Sequence, residues 1–101
     1  MPVNIIENWS DIVGEVIAIK PGTDPPGFSK VRMEVLIVEP VEGYPNLLEN
    51  AINDRIEVLF PGDLQGELGI VKGSVVECRV RRAGGQRTYV HRDGITVRRI
   101  G

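Results

Sequence analysis

The sequence predicts an all-β fold in which five strands form a small closed or partly open barrel. Three observations lead to this fold class. Five segments show the alternation of apolar and polar residues, or the short apolar run, that is typical of strands. The chain has 12 glycines and 7 prolines in 101 residues, which favours many tight turns. Near the C-terminus, two strand-like runs flank Ala83-Gly84-Gly85-Gln86, which is a strong hairpin signal.

Length and composition predict a single domain over residues 1–101, with residues 1–10 as an N-terminal lead-in. The chain is 42% apolar and 26% charged, which is ordinary for a globular protein. One cysteine cannot form an internal disulfide, and the sequence shows neither a signal peptide nor an apolar run of membrane length. We therefore expect a cytoplasmic protein that has no contact with a membrane.

Strands one and two are expected to pair across a stiff loop. Strand one is predicted over Ile12–Lys20, and Gly14 inside it indicates a bulge or a sharp bend. The loop that follows is rich in proline and glycine and leads to strand two, predicted over Ser29–Glu39.

A short helical insertion is predicted between strands two and three, within the connection from Glu39 to Asn53. Leu47, Leu48, Ala51 and Ile52 recur there at helical spacing, after a proline at an early helical position. We expect this insertion to cap the barrel. A protrusion that binds a partner is the alternative.

The remaining strands are predicted over Asp54–Phe60, over Val75–Arg82 and from Arg87 onward. Asp93-Gly94 interrupts the last of them. We interpret this pair as a glycine bulge rather than a second hairpin turn, because a sixth strand after it would be very short. Five strands in one domain must protect their edges, and closing into a barrel does so.

The strand pattern also resembles a known family. Residues 12–19 look like the glycine-bent first strand of an OB-fold, and the turn Val71-Lys72-Gly73-Ser74 into strand four is similar to that of single-strand-binding domains of the replication protein A type. The resemblance covers about residues 11–100. It implies binding of single strands on the face of strands two and three, between the loops that join strands one to two and four to five. That family usually has a helix between strands three and four. The short, glycine-spotted link over residues 61–72 indicates that this helix is absent or reduced.

Charge is divided unevenly along the chain. Residues 72–101 hold eight basic and two acidic residues, a net charge of +6. Residues 1–71 hold four basic and twelve acidic residues, a net charge of −8. A mildly acidic protein therefore contains a basic hairpin, and such a patch is typical of polyanion binding.

The sequence thus predicts a module that binds single-stranded DNA or RNA with modest affinity through the hairpin of strands four and five. Arg87, Tyr89 and His91 fall on one strand face and would present a cation and two rings to a nucleic acid. Basic residues on strands two and three would add to this face. The candidate contact residues are Lys30, Arg32, Arg55, Arg79, Arg81, Arg82, Arg87, Tyr89 and His91.

Two observations limit this hypothesis. Glu34 and Glu57 lie on the same strand faces and would repel phosphate, and the chain has few aromatic residues for stacking. The alternative function is a protein–protein adaptor or subunit, including one that forms a homo-oligomer. Trp9 is expected to fill one end of the core, with a role as a stacking platform as its alternative.

An enzymatic function is not expected. His91 is the only histidine and Cys78 the only cysteine, and no catalytic, nucleotide-binding or metal-binding motif is present. Cys78 alternates in phase with Val76 and Val80, which predicts a small buried side chain rather than a nucleophile. We expect neither a metal ion nor another cofactor.

Overall fold

Five strands and one short helix make up the computed structural model, which describes residues 7–23, 25–83 and 87–98. In chain order the elements are β1 (Ser10–Thr23), β2 (Pro26–Pro40), β3 (Arg55–Pro61), α1 (Gly62–Glu67), β4 (Val75–Ala83) and β5 (Arg87–Arg98). The predicted all-β class and the five predicted strands are confirmed.

The strands form one sheet that closes into a ring in the order β1-β2-β3-β5-β4. β4 completes the ring by pairing with the first half of β1, from Ser10 to Glu15. Neighbouring strands are antiparallel except β3 and β5, which pair in parallel at Val58–Thr88 and Leu59–Tyr89. Closure therefore pairs the strands that would otherwise be exposed sheet edges.

The irregularity predicted at Gly14 is confirmed as a bulge in the pairing of β1 with β2. The pairing of β1 with β2 shifts register between Val13 and Gly14, so Leu36 is the extra residue on β2. A Cβ atom on Gly14 would lie 2.9 Å from Cε of Met33 and 3.1 Å from the carbonyl oxygen of Glu34. Glycine is required here because the neighbouring strand approaches too closely for a side chain.

The inside of the ring is filled by apolar side chains from all five strands and by Ile70. They include Ile12, Val16, Val31, Met33, Val58, Phe60, Val76, Cys78, Val80 and, partly buried, Val90. Leu48 and Ala51, from the β2–β3 connection, belong to the same cluster. The predicted capping role of this connection is therefore confirmed.

The predicted helix in that connection is wrong, because residues 41–54 form turns. The amide of Ala51 donates to the carbonyl of Leu48, three residues back, and not to the carbonyl four residues back that a helix requires. Asn46 Oδ1 accepts hydrogen bonds from the Leu48 amide, at 3.2 Å, and from Ser10 Oγ, at 2.6 Å. A side chain that binds its own backbone competes with helix formation in this way. Leu47 and Ile52 consequently point to solvent while Leu48 is buried.

The helix of the structure lies instead between β3 and β4, where the OB-fold resemblance implies one. α1 has only six residues and buries Leu64. The prediction that this helix is absent or reduced is thus consistent with its length. Within residues 7–23, 25–83 and 87–98, no helix has the length and apolar character needed to cross a membrane.

The interpretation of Asp93-Gly94 as a bulge is confirmed, because β5 is one continuous strand. Cys78 pairs with Ile95 and Val80 pairs with Val90, so residues 91–94 stand opposite the single residue Arg79. A Cβ atom on Gly94 would lie 3.0 Å from Cβ of Arg79, which explains why the bulge contains a glycine. The bulge bends β5 at this point of the ring.

Leu47 and Leu48 provide a test of how the connection caps the core. Leu48→Ala should lower the free energy of unfolding by about 2–5 kcal/mol, because the side chain is 3% exposed and its removal leaves a cavity. Leu47→Ala should change it by less than about 0.5 kcal/mol, because Leu47 is 49% exposed. Guanidinium unfolding followed by circular dichroism measures both. Similar losses for the two variants would contradict the turn geometry.

Gly14 provides a test of the tight contact between β1 and β2. Gly14→Ala should destabilise the protein by about 1–3 kcal/mol, because Met33 and the β2 backbone must move. The control is Gly66→Ala on α1, where a Cβ meets nothing within 4 Å. That change should stabilise by about 0.4–1 kcal/mol through reduced freedom of the unfolded chain. If Gly14→Ala proved neutral in the same unfolding assay, the close approach would not exist.

Candidate nucleic-acid interface

One line of side chains crosses the outside of the ring and takes one residue from each strand. Lys20 pairs with Lys30, and Lys30 pairs with Leu59. Leu59 pairs with Tyr89, and Tyr89 pairs with Arg81. Directly paired residues point to the same face of a sheet. We call these five residues the outer row.

Two aromatic rings meet at the centre of the outer row. The rings of Phe28 and Tyr89 have centroids 5.6 Å apart and an interplanar angle of 78°, an edge-to-face contact. Phe28 lies two residues before Lys30 and therefore on the same face of β2. Both aromatic residues are half-buried, and Leu59 beside Tyr89 is 4% exposed. The contact fixes one ring against the other and leaves part of each accessible.

Lys20 and Lys30 place two like charges directly opposite each other. Like charges at opposed positions on neighbouring strands repel and are destabilising. In the part of the chain that the structure describes, neither lysine is in an ion pair with a carboxylate. An anion between the two ammonium groups would relieve this repulsion.

Arg81 ends the outer row against Trp9. Its guanidinium carbon lies 6.0 Å from the centroid of the Trp9 ring, which is within the range of a cation–π contact. The other neighbour of Trp9 is His91, with ring centroids 5.2 Å apart and planes tilted by 57°. The prediction that Trp9 fills one end of the core is therefore wrong. Trp9 lies outside, where it extends the outer row, and Leu48 and Ala51 close the core instead.

His91 lies between Trp9 and the bulge. Its Nδ1 atom accepts a hydrogen bond of 3.1 Å from the backbone amide of Asp93. This contact assigns the proton of the neutral ring to Nε2. The histidine ring thus lies on the same side of the molecule as Trp9.

Arg82 does not join the predicted face. It pairs with Thr88, which is 3% exposed and pairs in turn with the core residue Val58. The arginine thus points toward the inside of the ring, away from Arg81. The carboxamide of Asn8 holds its backbone with two hydrogen bonds of 2.8 Å. The alternation of Val76, Cys78 and Val80 in the sequence already indicates the inward position of Arg82, because residue 82 is in phase with them.

Three arginines of the basic stretch are bound to carboxylates. Arg79 donates to both oxygens of Asp11, at 2.9 and 3.2 Å. Arg92 contacts Asp63 at 2.9 Å, and Arg98 contacts Glu77 at 2.7 Å. The hydrogen bond that Arg79 donates to Asp11 raises the pKa of Arg79, and the hydrogen bond from Arg92 lowers the pKa of Asp63. The net charge of +6 over residues 72–101 therefore overstates the free positive charge on the surface.

Arg32 and Arg55 stand opposite acids on the β2–β3 pair. Arg32 pairs with Glu57, and Arg55 pairs with Glu34. The expectation that Glu34 and Glu57 share the face of these cations is therefore confirmed. Arg32 is next to Lys30 along this face, whereas Arg55 is one row further from the rings.

The loop between β4 and β5 is only partly described. Arg87 is exposed and pairs with Ala83, so it lies on the same face as Tyr89 and Arg81. The predicted turn at residues 84–86 lies outside the described residues.

Sequence reasoning missed two members of this surface. The position of Lys20 opposite Lys30 depends on the register across the loop, which the sequence pattern does not give. The sequence signals Phe28 only as an aromatic residue directly after Gly27, at the exit of that loop. The structure thus brings together Lys20, Phe28, Lys30, Arg32, Arg81, Arg87, Tyr89 and, through Trp9, His91.

No protein-family model matches the chain. No curated protein matches its sequence.

Cys78 is a core residue, as predicted. It is 4% exposed, and burial, with a smaller effect of the Asp11 charge, raises its pKa from 9.0 to about 12. The folded protein therefore keeps the thiol protonated at neutral pH, and a protonated, enclosed thiol is not a nucleophile.

Burial of Cys78 has two measurable consequences, one for the pH dependence of stability and one for the reactivity of the thiol. Since the pKa of Cys78 is raised on folding, its contribution to stability is complete below the unfolded pKa of 9.0 and is lost as pH rises toward about 12. At about pH 8, an aromatic disulfide reagent should label native Cys78 only as fast as the protein opens. Labelling should accelerate with the unfolded fraction when guanidinium is added. Native labelling as rapid as that of the unfolded chain would contradict the burial.

Proposed function

We propose that this chain is an OB-like module that binds single-stranded nucleic acid on the outer row. Two features of the fold support the OB-like assignment. The strand order closes a five-stranded ring, and the one helix of the described residues lies between β3 and β4, where that family usually has it. The predicted binding region of such a fold, the face of strands two and three between two loops, contains Phe28 and Lys30.

The observation that carries the proposal is the combination of an unneutralised lysine pair with an aromatic pair on adjacent positions. Lys20 and Lys30 need an anion, and a phosphate group supplies one. Phe28 and Tyr89 offer ring surface next to it, and stacking of a base on an aromatic side chain is worth about 1–3 kcal/mol. Nucleic acid is the polyanion that carries rings at regular spacing between its charges.

The position of the rings favours single strands over duplex. Phe28 and Tyr89 would bind a nucleic acid by stacking on the faces of its bases. Those faces are unstacked and accessible in a single strand. The outer row crosses five strands about 4.8 Å apart, a span of roughly 20 Å. That length suits about four nucleotides, the lower end of the site sizes of OB-folds.

Modest affinity follows from the charges. Glu57 lies opposite Arg32, and Arg79, Arg92 and Arg98 are bound to acids. About three cations of the outer row remain for phosphate, which predicts a slope of roughly −2 in the logarithm of the association constant against that of salt.

The test is fluorescence anisotropy of a labelled oligonucleotide of thymidines and its uridine counterpart, at low and moderate salt. Lys20→Gln combined with Lys30→Gln should weaken binding and reduce the salt slope by roughly 1.4. Tyr89→Leu should weaken binding by about 1–3 kcal/mol with little effect on the slope, because it removes a ring and not a charge.

Lys72→Gln is the matched control, because Lys72 is exposed and lies outside the outer row. It should leave both affinity and slope unchanged. The proposal fails if micromolar protein shows no binding at low salt. It also fails if Lys72→Gln weakens binding as much as the Lys20 and Lys30 changes do, since that would indicate general charge attraction.

A further inference from the structure

A groove of about 570 Å³ lies on the outside of the ring, on the side of the β5 bulge. We call it the bulge groove. Its walls come from β1, the far half of β2, β4 and β5. Among the residues that line it are Asp11, Val13, Ile37, Glu39, Asp93 and Thr96. Its volume falls within the range of sites that accept side chains or small ligands.

The bulge groove has an excess of acid. Four carboxylates, those of Asp11, Glu39, Glu77 and Asp93, line it together with two guanidinium groups, so these six groups carry a net charge of −2. Asp11 and Glu39 pair directly across β1 and β2, which places two like charges opposite each other. Arg79 binds Asp11 and leaves Glu39 without an ion pair in the described part of the chain. A cation from outside would complete this pair.

The groove also has an apolar wall that is exposed. Ile37 is 46% exposed and pairs with Val13, which lines the groove beside it. Five of the six large apolar side chains that are exposed in the described residues fall between positions 36 and 52: Leu36, Ile37, Tyr44, Leu47 and Ile52. The connection meets β2 near Leu36, because Val35 exchanges backbone hydrogen bonds with Asn53 and Asp54, at 2.7 and 2.9 Å. Residues 33–54 contain five acids and no basic residue. The surface next to the groove is therefore both apolar and acidic.

We propose that the bulge groove and the adjoining apolar surface bind a partner protein through a basic segment that carries apolar side chains. A cationic side chain of the partner would lie between Glu39 and Asp93, and an apolar neighbour would cover Ile37. Nucleic acid does not fit this surface, because its phosphates would face unpaired carboxylates. A simple polyamine would satisfy the acids and leave Ile37 exposed.

The test uses two N-acetylated, C-amidated pentapeptides and the full-length protein labelled with ¹⁵N. One peptide alternates leucine with arginine, and the other alternates leucine with glutamate. The first should shift the amide signals of Ile37, Glu39 and Thr96 in a saturable way, and the second should not. Spermine tests charge alone and should bind at least tenfold more weakly than the arginine peptide.

Paired variants separate the groove from general attraction. Glu39→Lys should weaken peptide binding at least tenfold. Glu57→Lys is an equal change of charge at an exposed position on β3 and should weaken binding less than twofold. Ile37→Ser should weaken binding at least threefold, whereas Val71→Ser, at a side chain that is 60% exposed, should not. Ile37→Ser keeps the test decisive if Glu39→Lys fails to fold.

Several outcomes would overturn the proposal. Equal affinity for spermine would mean that the groove only collects cations. Equal losses from Glu57→Lys or Val71→Ser would place binding elsewhere. Concentration-dependent shifts of the groove signals without peptide, together with a larger sedimentation coefficient, would assign the surface to a second copy of this chain. None of these results depends on nucleic-acid binding, because the outer row and the oligonucleotide are not part of the assay.

Discussion

The pairing register of β1 with β2 is the constraint on which both surfaces depend. The pairing places Lys20 opposite Lys30 and Asp11 opposite Glu39, nine residues apart along β1, with two register shifts between them. A slip by one residue would turn every side chain of a strand to the other face. The core prevents such a slip, because Ile12, Val16, Val31 and Met33 must all remain inside the ring. The close contact of Gly14 with Met33 adds a steric lock at one position. The same burial that stabilises the fold therefore holds two pairs of like charges in place.

Closure of the ring explains how the basic stretch is distributed. β4 and β5 meet β1 and β3 on both sides, so their arginines fall beside acids that are distant in sequence. Arg79 meets Asp11 across β1, and Arg92 meets Asp63 at the start of α1. Exposed ion pairs of this kind contribute little stability, about 0–1 kcal/mol each. Their effect here is on the surface potential, because they remove arginines from the set that can attract a polyanion. The charges that remain accessible include Lys20 and Lys30 of the β1–β2 hairpin, which the sum over residues 72–101 did not include.

Much of the fold was predictable because it follows from local patterns. Alternation predicted the five strands. Gly14 predicted the irregularity in the pairing of β1 with β2, and Asp93-Gly94 predicted the bulge in β5. The helix predicted near Leu47 was wrong because periodicity does not detect a side chain such as Asn46 that bonds to a neighbouring amide. The site was less predictable. The inward position of Arg82 follows from the alternation of Val76, Cys78 and Val80 along β4, which excludes Arg82 from the outer face. Lys20 and the position of Trp9 beside Arg81 depend on which strands become neighbours, and that is a property of the closed ring.

The lysine pair and the carboxylates of the bulge groove can coexist on one small ring because they are far apart on the scale of electrostatic screening. Nine residues of extended chain separate Lys20 from Asp11, a distance of about 30 Å along β1. At physiological salt the screening length is about 8 Å, so the lysine pair does not neutralise the carboxylates of the bulge groove through solvent. Arg79 relieves the charge of Asp11, and the proposed ligands would relieve those of Lys20, Lys30 and Glu39. His91 is the point of contact between the two surfaces, since it packs against Trp9 and also lines the groove.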